Sequence, residues 1–185
     1  MSEYYLMSQL PSLDAVGENT PLPITEERFL ELSERFLGKK AWSEMSRLTL
    51  VPDRAGQESC SALIEAWNDG ERMLRLALSK ARADKLGKQF EIKDIILPIE
   101  LIRVANTAVG MSDPLEAEKY LNDYRLSFLE TIRPMDSFSE DHVFYYGLRL
   151  KLLWRIKRFD TELGSSAYRN IYSSILSGDG LEVKQ

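Results

Sequence analysis

Residues 58–86, ESCSALIEAWNDGERMLRLALSKARADKL, carry the strongest helical signal in the chain. Cys60, Leu63, Ile64, Trp67, Leu74, Leu78 and Ala81 recur at spacings of three, four and seven, the period that lines one face of an α-helix. One side of this segment must therefore be buried. Glu58, Glu65, Asp69 and Glu71 lie early, and Arg72, Arg75, Lys80, Arg82 and Lys85 lie late. That order complements the helix dipole without any ligand. Asn68-Asp69-Gly70 interrupts the pattern. Glycine costs about 1 kcal/mol relative to alanine inside a helix, so a kink is expected there.

Further along, Phe90-Glu91-Ile92 could pass for a brief strand, but residues 95–109 carry apolar side chains too densely for alternation, and a buried helix is expected from Pro98. Asp113-Pro114-Leu115-Glu116 places Asp at the N-cap, Pro at the first helical position and Glu at the third, the residue types that satisfy the open donors of a helix start. Ala117, Leu121, Tyr124, Phe128 and Ile132 mark the core face of this helix, and Pro134 ends it. A long helix is expected from Ser139 or Glu140 to about Leu163, closed by Gly164. A last one spans Ser166 to Leu176 with Ala167, Ile171 and Ile175 inward.

Towards the N-terminus, Thr25 precedes Glu26 and Glu27 and caps a helix whose apolar face is Phe29, Leu32 and Phe36, with Gly38 as its stop. A shorter helix covers Ala41 to Leu48 before Pro52 and Gly56. Pro11 to Pro23 holds three prolines, Gly17 and Asn19 without apolar periodicity, so a loop is expected, preceded by a short extended piece. The expected architecture is a single all-α domain over residues 1–185, an irregular multi-helix bundle with a short extended N-terminal segment: segment and loop over 1–24, helical body over 25–177, flexible tail over 178–185. No fixed-period repeat points to a solenoid.

Composition narrows the chemistry. One His and one Cys in 185 residues cannot assemble a zinc finger, a CxxC redox pair or the paired ExxH ligands of a di-iron bundle. A net charge of −5 argues against a nucleic-acid binder that relies on bulk positive charge. The first residues lack a basic n-region, and no run approaches the roughly 20 apolar residues of a spanning helix. A cytoplasmic protein is expected, without direct membrane insertion, and peripheral at the inner membrane only through partners. No Walker-type loop, GxGxxG or GxSxG occurs, since neither Gly38-Lys39-Lys40 nor Gly87-Lys88-Gln89 has a phosphate-loop arrangement. No catalytic residue, metal ligand or cofactor is assigned, and the chain is not expected to be an enzyme by itself.

Glu140-Asp141-His142 is the one place where His and carboxylates adjoin. Consecutive residues on a helix point in different directions and converge poorly on one ion, so an acidic helix start is the plainer reading. Cys60, on the apolar stripe, reads as a small core residue. The least ordinary stretch is Arg149 to Phe159, with five basic residues and no acid. On a helix, Lys151, Arg155 and Arg158 fall at i, i+4 and i+7 as one narrow basic stripe. It reads either as an internal salt-bridged face or as a docking stripe for an acidic partner helix.

The opening Tyr4-Tyr5-Leu6-Met7-Ser8 with Leu10-Pro11-Ser12-Leu13, then a proline-containing loop and Thr25-Glu26-Glu27-Arg28-Phe29-Leu30, resembles a family of uncharacterised bacterial proteins encoded with the components of V-type (V/A-type) ATPases. That family is distantly similar to the C subunit of these machines, an all-helical adaptor between central stalk and membrane ring. The resemblance implies a non-catalytic helical component or accessory protein of the ATPase, with stalk or membrane-ring proteins as partners and Lys151, Arg155 and Arg158 as a candidate partner surface. A free-standing cytoplasmic interaction module is the alternative.

Overall fold

A computed structural model describes residues 2–14, 16–17, 20–53, 59–90, 95–158 and 161–176. Among these residues the chain forms eight α-helices and no strands: α1 (Ser2–Gln9), α2 (Glu26–Phe36), α3 (Lys39–Met45), α4 (Ala62–Lys85), α5 (Ile99–Gly110), α6 (Pro114–Thr131), α7 (Glu140–Lys157) and α8 (Thr161–Leu176). The all-helical expectation holds. Several starts are set by the anticipated caps. Thr25 Oγ1 accepts from Arg28 N (3.2 Å), and Asp113 Oδ1 accepts from Leu115 N (2.8 Å) with Pro114 at the first helical position. Pro98 stands immediately before α5.

α7 is the spine. Ten of its eighteen residues are buried, and because they run consecutively from His142 to Leu148 they cover the whole circumference rather than one stripe. Gly147 lets neighbours approach closely: a Cβ at this position would lie 3.1 Å from both Phe29 Cε1 and Leu48 Cδ2, and 3.3 Å from Met45 Sδ. α2 packs antiparallel to α7, with Glu26 paired to Lys151 and the Phe29 ring 5.3 Å from that of Tyr146.

The N-terminal residues run the other way, as a strap along α7. Tyr4 meets Phe138 (centroids 4.8 Å), the Pro11 carbonyl accepts from Tyr146 Oη (2.9 Å), Asp14 pairs with Arg149 (3.1 Å), and the Gly17 carbonyl accepts from Lys157 Nζ (2.6 Å). The start of this strap corrects the expected extended piece, since Ser2–Gln9 is helical. Its residues show no amphipathic period because the anchor is so short: Leu6 is 0% exposed within the core with Met7 partly covered beside it, while Tyr4 and Tyr5 remain exposed. Tertiary docking overrides a weak local pattern.

A second apolar cluster joins Leu74, Ala77, Leu78 and Ala81 of α4 to Leu101, Val104, Ala105 and Ala108 of α5 and Leu121 of α6. α5 runs in the same direction as α4, for Lys85 Nζ at the end of α4 donates to the Val109 carbonyl at the end of α5 (2.6 Å). The connection between them spans residues 86–98. It leaves α4 through a left-handed Gly87 (φ 64°), with Lys88 N bonded to Ala83 O (2.9 Å) and Gly87 N to Asp84 O (3.1 Å), the two bonds of a Schellman stop.

α4 is helical without interruption through Gly70, where a Cβ would collide with the Phe128 ring, so the missing side chain makes room for α6. Two other expectations change. α7 ends at Lys157, not Leu163, and α8 begins at Thr161 and passes through Gly164. Gly164 therefore lies inside a helix rather than closing one. Ile171 is exposed rather than inward. It projects from a helix whose neighbouring side chains, Tyr168 to Ser174, are all at the surface. The side chains of Ala167 and Ile175, and the tail expected at 178–185, lie outside the described residues.

Candidate functional site

The basic stripe is distributed over the body. Lys151 pairs with Glu26 of α2, Arg155 pairs with Glu118 of α6, and Arg158, the residue that caps α7, is exposed. The first two are thus engaged as an internal salt-bridged face. Arg149 is held by Asp14 and by Glu130, whose carboxylate also accepts from Tyr145 Oη. Burial and the Glu130 hydrogen bond raise the Tyr145 pKa.

Arg155 is the outer end of a larger network. Glu71, 3% exposed, takes a two-point grip from Arg125: Nε on Oε2 at 3.0 Å and Nη2 on Oε1 at 3.1 Å. Arg75 adds a bond to the same carboxylate (3.0 Å). Arg125 Nη1 reaches Asn122 Oδ1 (3.3 Å) and Glu118 (3.5 Å), and Glu118 returns to Arg155. The chain Arg75, Glu71, Arg125, Glu118, Arg155 ties α4, α6 and α7 together. It stands where the two apolar clusters meet, between Trp67 and Leu74 on α4 and between Leu121 and Leu129 on α6. In sequence, Glu71 reads as an ordinary dipole charge and Arg125 attracts no notice. The usable signal is a basic residue four positions from each of two apolar core residues, Leu121 and Leu129.

A cleft of about 440 Å³ opens between α3 and the first turns of α4, lined by Lys40, Glu44, Arg47, Asp53, Cys60 and Asn68 among others. Glu44 is its hub: Oε2 accepts from Cys60 N (2.9 Å) and Oε1 from the Ser59 hydroxyl. Burial opposes charge on this carboxyl, but the hydrogen bonds from Cys60 and Ser59 and the nearby Arg47 outweigh it and hold the pKa below the ordinary value. The opposite happens at Cys60, whose thiol is pushed up to about 11 by burial and then by Glu44. A thiol protonated at neutral pH is a poor nucleophile, and a committed, acidic carboxylate is a poor general base. Within this polar cleft, neither Glu44 nor Cys60 is poised for acyl or proton transfer.

The acidic start of α7 behaves as the plainer reading expects. Ser139 Oγ caps it through His142 N (3.2 Å), Asp141 Oδ1 accepts from the Ser61 hydroxyl (2.6 Å), and Glu140 faces solvent. His142 turns inward, 6% exposed, with its pKa lowered by burial and then by Arg133. The three side chains diverge. Among the described residues no group of three or more His, Cys, Asp or Glu is placed to hold a metal ion, and no helix is long and apolar enough to cross a membrane.

No protein-family model matches the chain, and comparison with curated proteins and with solved structures returns no significant match.

Proposed function

We propose that this chain is a non-catalytic helical component or accessory protein of a V-type ATPase, an adaptor like the C subunit that supports ATP-linked ion transport through its partners. The observation that carries the reading is the N-terminal segment. The residues that resemble the ATPase-associated family, Tyr4 to Leu13, form the strap built into the body along α7, with Leu6 and Leu13 buried and Pro11 bonded to Tyr146. A spine strapped on one side, flanked by α2 on another and cross-braced to α4 and α6 by paired Arg and Glu makes a stiff body. Stiffness is what an adaptor needs to hold register or transmit force between a stalk and a membrane ring. Of the candidate partner surface, Arg158 is exposed at the end of α7, whereas Lys151 and Arg155 have internal partners.

Gentle purification of the ATPase from the native source tests the proposal. Co-purification of this chain with stalk or membrane-ring proteins is expected, and repeated absence overturns it. Arg158→Gln should weaken co-purification while leaving thermal stability nearly unchanged, because this side chain faces solvent. The alternative, a free-standing interaction module, is favoured by the exposed isoleucines Ile95, Ile96 and Ile99 at and just before the start of α5, apolar side chains that a partner would cover. Recovery of a stable complex without any ATPase component would select it.

A further inference from the structure

Tyr4 and Tyr5 are 53% and 59% exposed, and Phe138, from the loop before α7, is 48% exposed. They form one surface: Tyr4 meets Tyr5 edge-on (centroids 5.8 Å) and leans on Phe138 (4.8 Å). Met135, fully exposed, belongs to the same loop. Tyr, Phe and Met are the residue types enriched at the cores of protein interfaces. Leu6, with Met7 beside it, anchors α1 in the core, so the two tyrosines are not needed to hold the helix in place.

Among the described residues, two exposed carboxylates flank Phe138. Asp136 is held at the surface by accepting from Phe138 N (2.9 Å), and Glu140 is exposed two residues beyond Phe138. The basic residue of this loop, Arg133, is engaged by Glu130 (3.6 Å) and lies over the Tyr145 ring (5.4 Å). Neighbouring His142 is buried with a lowered pKa and adds no positive charge at neutral pH. Electron-rich aromatic faces beside carboxylates are complementary to cationic side chains, which gain from the ring quadrupole and from the acids together.

We infer that this aromatic and acidic end of the molecule docks a partner-protein segment that presents Arg or Lys side chains to the Tyr4, Tyr5 and Phe138 rings. The inference does not depend on which complex the chain joins, because the partner is defined by its chemistry alone.

The probe is a capped pentapeptide of alternating alanine and arginine, with glutamate and leucine counterparts, titrated into the full chain while the aromatic ring signals are followed by NMR. Saturable shifts at Tyr4, Tyr5 and Phe138 are expected with the arginine peptide only, weakening as salt is raised. The double variant Tyr4→Ser/Phe138→Ser should lose the response. Asp136→Asn/Glu140→Gln should weaken it several-fold; Asn keeps the acceptor for Phe138 N, so the loop is retained. No shift up to the solubility of the peptide, equal shifts with the glutamate or leucine peptide, or a response unchanged in the variants overturns the inference.

Discussion

Glycine 70 shows how one missing side chain sets a helix crossing. The Phe128 ring occupies the space a Cβ would take, and Phe128 in turn packs 6.3 Å from Trp67. Gly70→Ala gains about 1 kcal/mol of helix propensity but forces the ring to move, an overpacking cost of about 1–3 kcal/mol, so a net loss of stability is expected by urea denaturation. The companion Phe128→Leu should make Gly70→Ala less costly. A sequence pattern registers Gly70 only as a helix weakener, because the ring that needs the space comes from a distant helix. At the cleft, Glu44→Gln should lower the Cys60 pKa from about 11 and speed alkylation several-fold near pH 8; an unchanged rate would leave burial as the sole cause. His142 gives a pH prediction. Its folded pKa lies below the ordinary value of 6.5, so the unfolded chain holds more protons between the two values, and stability falls as pH drops through that window. His142→Gln should flatten the dependence of the urea midpoint over this range.

Among helices, the Glu71–Arg125 grip is where the largest single loss is expected. Glu71→Gln leaves Arg125 buried with its main counter-charge gone, at a cost of about 3–5 kcal/mol in urea unfolding. Glu71→Met with Arg125→Met removes both charges and should recover much of that loss. What is legible in the sequence at this scale is whatever is encoded locally. Thr25 and Asp113 cap the helices they precede, and Leu63, Trp67, Leu74 and Leu78 face the core at the expected period. Partnerships across helices are not legible. Lys151 and Arg155 form a stripe in sequence whether Glu26 and Glu118 meet them or not, and nothing in residues 2–9 announces that burial of Leu6 will hold them helical. The boundary between α7 and α8 departs from expectation because Gly164, a conspicuous stop signal in sequence, lies inside α8.

Over the whole molecule, mass is unevenly committed. α1 to α7 share the two apolar clusters, whereas the described side chains of α8 from Tyr168 to Ser174 are exposed. Deleting residues 161–185 should leave the thermal midpoint of the remainder within about a degree or two, and a larger drop would mean that α8 braces the body. The strap has a further consequence, which concerns time rather than space. Tyr146 finds Pro11 across 135 residues and Lys157 finds Gly17 across 140, so on a ribosome the first helix emerges long before the surface it covers exists. The α4 to α6 cluster is complete once Leu121 has emerged and can consolidate early, but the strap must wait for nearly the entire spine. In the nascent chain, then, the opening residues are the last to find their place, and Leu6 stays open to chaperones throughout that interval.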